Sequence, residues 1–457
     1  MDSRKRILIK GGTVLTFQSN ILVCDQLDVL VEYDKIADIG KNLVPSLETE
    51  EISAKGMIVS PGLIDTHRHL WQSAFKGYAS NWKLMEYLNG MLGDIAPKMT
   101  PSDVYNGNLL GALEAVNSGI TTIFDWSHIM NSDEHTEAAI RGLKVSGIRA
   151  KFGYGTPGTS VWEWFFESKK SHPVNAYDIK KKYFHSDNDL VTMALGIRGP
   201  EYSEMSVTKK DIAMGRDMNL QISMHIGGGA FGPKYQGIQK LHQQGLLGSD
   251  LNFAHGNTLD DKDFQLLADY GCSLSITPEV ELQMGLGLPA TGRAVKHNVI
   301  CSLGVDVVTA TSGNLFDQMK IALQAERAIQ NEKMYQNGQM SEKLTIQDLD
   351  IFKMATIGGA KTLGLEQKIG TLEVGKQADI ILIDVDKLGI APYSNPVSTV
   401  VLYAKEHNVD TVIIAGKIIK RNDKLVNQTI DELILECRLN SYKFMEPSNE
   451  KLATEKL

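Results

Sequence analysis

The stretch MIVSPGLIDTHRH, residues 57–69, marks the point at which the pattern of the chain changes. Its first part, residues 57–63, is a short apolar run of the kind that forms a buried strand. His67 and His69 follow at a spacing of two. In an extended segment residues i and i+2 point to the same side, so both imidazoles can face one site while Arg68 cannot. The stretch therefore predicts a strand that leads into a pair of histidines.

From residue 57 onward, short apolar runs alternate with longer amphipathic segments, a pattern typical of parallel strands that are connected by helices and buried on both faces. Eight such runs within about 250 residues match the strand count and size of a (β/α)8 barrel, an α/β fold. The predicted barrel strands are residues 57–63, 121–124, 148–152, 190–195, 220–224, 251–254, 272–276 and 299–303.

Both ends of the chain are rich in short alternating or β-branched runs. Two small β units at opposite ends of a barrel are most economically joined in one sheet assembly, so we predict that the small domain is discontinuous. Its predicted strands are residues 7–9, 13–17, 27–31 and 35–39, followed near the other end by residues 380–383, 399–403 and 411–419.

The composition is that of an ordinary soluble globular protein, with 457 residues, a formal net charge of −8, 42% hydrophobic residues and 22% charged residues. Cys24, Cys272, Cys301 and Cys437 lie far apart and form no CxxC pair. This usage argues against a disulfide framework and against a zinc ribbon, and it favours a cytoplasmic location.

The chain offers no signal for membrane insertion or nucleic-acid binding. No uncharged apolar run reaches the roughly 18 to 20 residues that cross a bilayer. Residues 1–17 are interpreted as a strand rather than a signal peptide, because Lys10 and Gly11-Gly12 interrupt the apolar run. The acidic balance removes the general attraction for nucleic acid or anionic membrane. The expected partner is a small molecule or a second copy of the chain.

Four predicted strands end in metal-binding residue types. The pair His67 and His69 follows the first, His225 ends the fifth, His255 ends the sixth, and Asp306 lies just beyond the eighth, which is next to the first in a closed barrel. A single histidine at a strand end is more often a hydrogen-bonded core residue. The coincidence at four ends favours a site of imidazoles and one carboxylate, which suits Zn²⁺, Fe²⁺ or Mn²⁺.

Two motifs resemble those of a known family. Residues 61–69, PGLIDTHRH, resemble the opening metal motif of the amidohydrolase superfamily, and residues 370–380, GTLEVGKQADI, resemble its C-terminal β-sandwich signature. Residues 118–122, continuing to Asp125, fit the second-strand pattern of that family. The resemblance covers residues 7 to about 425 and is closest to the branch of cytosine and guanine deaminases and triazine (atrazine-type) hydrolases.

The resemblance implies a TIM barrel with a discontinuous small β-sandwich domain formed by both chain ends. We divide the chain into a first sandwich part (residues 1–56), the barrel (57–365), a second sandwich part (366–430) and a C-terminal helix and tail (431–457). Homodimers are common among relatives, so the resemblance also implies a homodimer.

Carried over by position, the resemblance implies that His67, His69, His225 and Asp306 hold one divalent metal ion, with Zn²⁺ expected first and Fe²⁺ or Mn²⁺ as alternatives. His255 would polarise the attacked centre and orient the water, and Asp306 would also act as general base. A two-metal site is not expected, because Gly196-Ile197-Arg198-Gly199 at the end of the fourth strand contains no bridging lysine. Lys151 lies within the third strand, where a solvated or structural role is favoured.

The chain departs from the family pattern where a proton donor is expected. The deaminase-like branch has a glutamate three residues after the fifth-strand histidine, and this chain has Gly228 there. A histidine that follows the fourth strand in the family is replaced by Glu201, and Glu281 occupies a position that is often asparagine or aspartate. Glu201, Glu279 and Glu281 are therefore candidate replacement acids or substrate contacts, with Glu201 first.

The resemblance implies that the substrate is a small nitrogen heterocycle. His128 resembles a residue near the pocket of triazine hydrolases, and Trp71 and Trp126, just past the first two strand ends, are candidates for stacking on a flat ring, with Glu281 as a further contact. The predicted function is a metal-dependent hydrolase, an aminohydrolase acting on a C–N bond of the heterocycle. The alternatives are the same fold with another leaving group, through amide hydrolysis, ring opening or dehalogenation, and a catalytically inactive binding homologue.

Overall fold

The computed structural model describes residues 6–18, 21–44, 46, 48–426 and 429–454. Its strands form two separate sheets. The strands are β1 (Arg6–Gln18), β2 (Ile21–Glu32), β3 (Lys35–Gly40), β4 (Thr49–Ser53), β5 (Met57–Pro61), β6 (Leu63–Arg68), β7 (Ile120–Ser127), β8 (Arg149–Tyr154), β9 (Val191–Gly196), β10 (Ile222–Ile226), β11 (Leu251–His255), β12 (Ser273–Ile276), β13 (Ile300–Leu303), β14 (Ile380–Asp384), β15 (Val409–Ile414), β16 (Lys417–Arg421) and β17 (Lys424–Leu425).

Helices alternate with the strands of the second sheet, as the apolar periodicity predicts. The α-helices are α1 (Leu84–Tyr87), α2 (Pro101–Asn117), α3 (Asp133–Ser146), α4 (Val161–Phe165), α5 (Ala176–Tyr183), α6 (Met205–Asp217), α7 (Phe231–Tyr235), α8 (Gly237–Gln243), α9 (Asp261–Asp269), α10 (Pro278–Gln283), α11 (Thr291–Lys296), α12 (Leu315–Gln336), α13 (Asp348–Lys353), α14 (Gly359–Thr362), α15 (Pro396–Leu402) and α16 (Ile430–Thr454). The short 3₁₀ or π segments are Leu70–Ala74, Leu88–Ile95, Ala96–Lys98, Met354–Gly358 and Glu406–Asn408. None of the helices in the described residues combines the length and the apolar character that a bilayer crossing requires.

Strands β6 to β13 form an eight-stranded parallel sheet in chain order. The chain after β13 returns to β6, where the amide of Asp306 donates to the carbonyl of His67 at 2.8 Å and the amide of His69 donates to the carbonyl of Asp306 at 3.1 Å. The last strand therefore lies beside the first, which confirms the predicted (β/α)8 barrel and brings Asp306 next to the histidine pair.

The first barrel strand lies further along the chain than predicted. Residues 57–63 were assigned to the barrel, but Met57–Pro61 pairs antiparallel with β14 and parallel with β1 in the other sheet. The chain passes between the two sheets at Gly62, where an added Cβ would lie 2.0 Å from the hydroxyl of Thr121. The barrel strand is Leu63–Arg68, so His67 lies on the strand itself rather than after it.

The small sheet has nine strands drawn from both chain ends, in the order β17-β16-β15-β14-β5-β1-β2-β3, with β4 beside β1. This confirms that the small domain is discontinuous. The predicted strands 7–9 and 13–17 form one strand, because the chain does not turn at the glycines and only shifts its register between the pairs Ile9–Val29 and Gly12–Leu27. The limits proposed for the individual domains stay a prediction, and residues 1–5 and 455–457 of the outer segments lie outside the described residues.

Residues 399–403 were predicted as a strand and lie in or beside helix α15 instead. The side chain of Asn395 caps this helix by accepting hydrogen bonds from the amides of Val397 and Ser398, and Pro396 occupies its first turn. These start signals outweigh the β-branched run that follows them.

A buried ion pair joins the barrel to the small sheet. Arg149, at the start of β8, donates from Nε to Asp379 Oδ2 at 2.8 Å and from a terminal nitrogen to Asp379 Oδ1 at 3.0 Å. Asp379 Oδ1 also accepts from the amide of Ala415 at 2.8 Å. Exposure of the two side chains is only 6% and 2%. Because this two-pronged pair is shielded from water, losing one partner would leave the other charge buried.

We expect the Arg149→Met variant to lower the free energy of unfolding by about 3–5 kcal/mol, because it leaves the buried carboxylate of Asp379 without its ionic partner. Equilibrium unfolding in urea measures this loss. As a matched control, Lys296→Met breaks an exposed pair with Asp261 at 2.8 Å and should cost less than about 1 kcal/mol. Equal losses for the two variants would contradict a special role for the buried pair.

Candidate active site

Four imidazoles and one carboxylate meet at the carboxyl ends of the barrel strands. The ring of His67 lies at centroid distances of 5.0 Å from His69, 4.9 Å from His225 and 5.6 Å from His255. The carboxylate is Asp306, whose Oδ1 is 3.3 Å from Nε2 of His69 and 3.7 Å from Nε2 of His67. The structure thus brings together the five residues that the strand-end pattern selected.

Two of these residues have unusual backbone conformations. His255 has φ = +82° and Asp306 has φ = +66°, in the left-handed region that residues other than glycine rarely occupy. Such conformations cluster at functional sites, because the surrounding fold must hold them in place. His255 is the last residue of β11 and Asp306 lies three residues after the end of β13, and Nε2 of His255 is 3.8 Å from Oδ2 of Asp306.

The cluster has the donor set and the unsatisfied atoms of a metal site. Both ring nitrogens of His67 are buried and have no hydrogen-bond partner among the described residues. Ligand atoms lie within 4.8 Å of one another in two overlapping groups, one of His67, His69 and Asp306 and the other of His67, His225 and His255. Imidazole nitrogen and carboxylate oxygen are ligands typical of Zn²⁺ and similar ions, so the residues fit a divalent metal.

The charge state of the imidazoles agrees with this fit. Burial, followed by the neighbouring imidazoles, holds the pKa of His67 and of His225 well below its usual range. Both rings are therefore neutral near pH 7, the form that a metal requires of a histidine ligand. The group of possible ligands His67, His225 and His255 contains both of the last two histidines. That His225 binds the metal while His255 acts in catalysis therefore stays a prediction.

His69 is oriented by the backbone of the second barrel strand. Its Nδ1 lies 2.6 Å from the carbonyl oxygen of Trp126. A carbonyl only accepts, so Nδ1 carries the proton and Nε2 is left with its lone pair toward Asp306. The Trp126 indole is fully buried, with its centroid 4.7 Å from that of His225. Trp126 therefore lies behind the imidazoles and does not line the cavity in front of them.

His255 is held from behind by Thr277 and Glu281. Its Nδ1 is 3.0 Å from the hydroxyl of Thr277 and 3.5 Å from Oε1 of Glu281. The same oxygen of Glu281 accepts from the amide and the hydroxyl of Thr277, at 2.9 and 3.2 Å. Glu281 is fully buried, so the structure places this candidate substrate contact at the back of His255 rather than on the cavity wall.

A cavity opens in front of the cluster. One end is formed by His69, His128, His225, His255 and Asp306. The rest of the wall is mainly apolar and aromatic. It comes from the ends of the strands and from the loops and short helices that follow them: Leu84, Tyr87, Leu88, Leu92, Phe165, Tyr202, Ile226, Gly228, Val280, Met284, Leu286 and Val307. A concave apolar pocket with a few polar groups at one end is the usual form of a small-molecule site.

His128 contributes a hydrogen-bond donor to this cavity. The indole Nε1 of Trp71 donates to Nδ1 of His128 at 3.0 Å, so Nδ1 accepts and Nε2 carries the proton. The His128 ring stacks on His69 with centroids 4.1 Å apart and an interplanar angle of 8°. Trp71 itself is fully buried and does not line the cavity. Of the two predicted stacking tryptophans, the structure brings neither to the wall.

Glu201 lies beneath the loop that follows β10. Its Oε1 accepts from the amide of Gly227 at 2.9 Å, and its Oε2 is buried with no partner among the described residues. Burial raises the pKa of Glu201 to about 7, although the Gly227 amide and the charge of His255 lower it. Gly228, the next residue of that loop, lines the cavity. Glu201 is thus close to the site but not on its wall.

The remaining candidates lie away from the cavity. Glu279 accepts from the amide and hydroxyl of Ser312 and from the side chain of Gln318 at 2.9–3.2 Å, so it connects α10 with α12 and with the segment before α12. Burial lowers the pKa of Lys151 to about 8, with smaller effects from Asp187, Lys368 and Glu366, none of which belongs to the cluster. Among the described residues, the charged groups that act on Lys151 lie outside the histidine cluster, so a structural role for Lys151 stays a prediction.

Leu84, Leu88 and Leu92 form part of the wall but were not among the sequence-based candidates. The long connection between Arg68 and Ile120 could have indicated that residues in this segment contribute to the site. Connections in compact domains are mostly short, and long ones are commonly functional.

Comparison with known proteins agrees with this architecture. The model of the amidohydrolase family matches residues 58–419. The chain belongs to the amidohydrolase family. As a member of this family, the protein is a hydrolase of carbon–nitrogen bonds other than peptide bonds, and its site is expected to bind a divalent metal ion. The match also confirms the family resemblance that the two sequence motifs indicated.

Two curated relatives illustrate the similarity. A 5-methylthioadenosine/S-adenosylhomocysteine deaminase from Thermococcus onnurineus is 31% identical over 430 residues, covering 92% of this chain and 95% of the relative. A 5'-deoxyadenosine deaminase from Methanobrevibacter smithii is 27% identical over 443 residues, covering 94% and 96%.

Solved structures share the fold. A zinc-bound adenosine deaminase from Xanthomonas campestris superimposes with a TM-score of 0.81 at 21% identity, covering 96% of this chain and 98% of the other. An atrazine chlorohydrolase from Arthrobacter aurescens in complex with zinc gives 0.83 at 23% identity, covering 94% and 99%.

Proposed function

We propose that this amidohydrolase is a metal-dependent aminohydrolase that converts an amino-substituted nitrogen heterocycle and water into the corresponding oxo compound and ammonia. The observation that carries the proposal is the buried cluster of imidazoles and Asp306, with both ring nitrogens of His67 unpartnered among the described residues, at the polar end of a largely apolar cavity. The names of the two curated relatives, both deaminases, support the same reaction.

In this proposal His67, His69, His225 and Asp306 hold the ion, which we take to be Zn²⁺, with Fe²⁺ or Mn²⁺ as alternatives. A divalent ion in this position supplies Lewis acidity, which makes water nucleophilic near neutral pH. Asp306 would act as general base toward the attacking water, because its Oδ1 faces His67 and His69 and its Oδ2 faces His255.

His255 and His128 act on the substrate. Glu281 and Thr277 fix the ring of His255 from its Nδ1 side, so Nε2 faces Asp306 and the reacting centre. His128 donates from Nε2 to an acceptor of the heterocycle. The amine leaves readily only after it is protonated, and Glu201 is the candidate that supplies this proton. We further propose that the protein acts in the cytoplasm as a homodimer, the latter on the family resemblance.

A second reaction is favoured by one feature of the cavity. Within the described residues, Asp306 is the only carboxylic acid that lines it, and Gly228 stands where a proton-donating glutamate is expected. A leaving group that needs no protonation, or the opening of a cyclic amide, would make smaller demands on an acid. The product distinguishes the reactions, because ammonia, a carboxylate and a halide ion are separately measurable.

We expect about one divalent ion per chain in the purified protein, and ammonia release from at least one of a set of aminopurines, aminopyrimidines, aminopterins and aminotriazines. Removal of the ion with a chelator should abolish release, and Zn²⁺ should restore it, because water is a poor nucleophile without the ion. Elemental analysis and an ammonia assay measure both effects. Protein that binds no metal after reconstitution would favour the inactive binding homologue, and activity that survives metal removal would contradict the mechanism.

A further inference from the structure

We infer that the substrate carries an apolar substituent on its heterocycle and that heterocycles bearing a sugar or another polyhydroxylated group are discriminated against. The inference rests on the proposed function in that it takes the cavity in front of the histidine cluster as the substrate pocket. It concerns the part of the substrate that does not react, which the reaction class leaves open.

The wall beyond the metal end offers little to bind hydroxyl groups. Within the described residues, Asp306 is the only lining residue with a carboxylate, and no amide side chain, serine, threonine, lysine or arginine lines the cavity. The two hydroxyls on the wall belong to Tyr87 and Tyr202. The Tyr87 hydroxyl already accepts from Nε2 of Gln72 at 2.5 Å. A pair of adjacent sugar hydroxyls would therefore meet no bidentate acceptor.

The apolar part of the wall includes three leucines from one segment of the chain. Leu84, Leu88 and Leu92 follow one another at a spacing of four, the spacing that places residues on one face of a helical segment, and all three line the cavity. Phe165 and Met284 contribute further apolar surface from two other loops. Burying a hydroxyl against such surfaces costs free energy, because the hydrogen bonds that it makes with water are not replaced.

The polar end fixes the ring instead. Nε2–H of His128, set by the hydrogen bond that Nδ1 accepts from Trp71, can pair with an acceptor on the heterocycle, such as an unprotonated ring nitrogen. The geometry therefore points to an alkyl- or aryl-substituted amino-heterocycle. The curated relatives named above carry the names of adenosine derivatives, which have ribose hydroxyls, so this wall predicts a different specificity from those names.

The test uses two pairs of probes that differ only by two hydroxyl groups: 9-propyladenine with 9-(2,3-dihydroxypropyl)adenine, and N-propylmelamine with N-(2,3-dihydroxypropyl)melamine. Binding to the Zn²⁺-loaded protein is measured by calorimetry, and ammonia release is measured on the same samples. We expect at least one propyl compound to bind about 10²-fold more tightly than its partner, the discrimination that an apolar pocket achieves against an added hydroxyl.

Two variants of Met284 sharpen the test. Met284→Gln places a hydrogen-bonding group on the wall at nearly constant volume. It should reduce the ratio of propyl to dihydroxypropyl affinity by about three- to tenfold, the effect of one hydrogen bond. Met284→Leu adds no polar group and should leave the ratio unchanged. A melting temperature for each variant checks that the fold is retained.

The outcomes separate this inference from the proposed reaction. Tighter binding of a propyl compound without ammonia release would support the apolar pocket and count against the aminohydrolase. Equal or tighter binding of the dihydroxypropyl compounds would overturn the inference even if ammonia is released. Binding of neither member of either pair would also overturn it, since the wall would then not accept an alkylated amino-heterocycle.

Discussion

The His225→Ala variant should lose its metal ion and at least about 10³-fold in kcat/KM, whereas His255→Ala should keep the ion and lose activity alone. A metal ion contributes several kcal/mol of transition-state stabilisation, and each 1.36 kcal/mol is a factor of ten in rate. His255 differs from His225 in that its Nδ1 contacts Thr277 and Glu281, an arrangement that orients a catalytic ring. Elemental analysis together with steady-state kinetics measures both effects.

His242→Ala is the matched control, because this histidine is exposed on helix α8, outside the cavity. It should retain both metal and turnover. One of the two groups of possible ligands contains both His225 and His255. The two variants therefore show which of these histidines binds the ion. Loss of the ion in His255→Ala with retention in His225→Ala would transfer the ligand role to His255. Retention in both variants would overturn the predicted ligand set.

The barrel and the meeting of its functional residues were predictable because they follow from periodicity. Parallel strands buried on both faces leave short apolar runs in the sequence, and their carboxyl ends share one face. Asp306 could therefore be placed beside His67 and His69 without knowledge of the loops, and two backbone hydrogen bonds at 2.8 and 3.1 Å connect them.

Other features depend on contacts that a local pattern does not specify. An apolar run such as Met57–Pro61 does not indicate which of the two sheets it joins. The chain passes from one sheet to the other at Gly62, and this position is recognisable only from its close contact with Thr121 in the folded structure. An aromatic residue at or near a strand end can face the cavity or the core. Trp71 and Trp126 face the core, where Trp71 fixes the tautomer of His128 and the carbonyl of Trp126 fixes that of His69.

The surroundings of Glu201 support its predicted role as proton donor, although its carboxyl lies off the cavity wall. Burial raises its pKa to about 7, a value that suits proton transfer near neutral pH. Its Oε2 has no partner among the described residues, and its Oε1 is held by the Gly227 amide, one residue from the cavity-lining Gly228. Charged groups that act on it are His255, Asp263 and Lys240.

We expect Glu201→Gln to lower kcat by about 10²- to 10⁴-fold, the usual contribution of general acid–base catalysis. Glutamine keeps an oxygen that can accept from the Gly227 amide, so the loop should be retained. Because the protonated acid is the active form, wild-type activity should fall as the pH rises through about 7, and this limb should be absent in the variant. Glu279→Gln, at a carboxylate bound to Ser312 and Gln318, should keep the limb.

A second substitution separates proton transfer from support of the loop. Gly228 has no positive φ, and an added Cβ would meet only Leu286 within 4 Å, at an ordinary contact distance of 3.6 Å. The fold therefore leaves room for a side chain at this position. If Glu201 supplies the proton, adding Gly228→Glu to the Glu201→Gln variant should raise its kcat at least tenfold, because the second substitution returns a carboxyl to the cavity wall. A Glu201→Gln variant with full kcat and an unchanged pH profile would remove Glu201 from the mechanism, and a loss that Gly228→Glu does not relieve would assign it to positioning of the loop after His225.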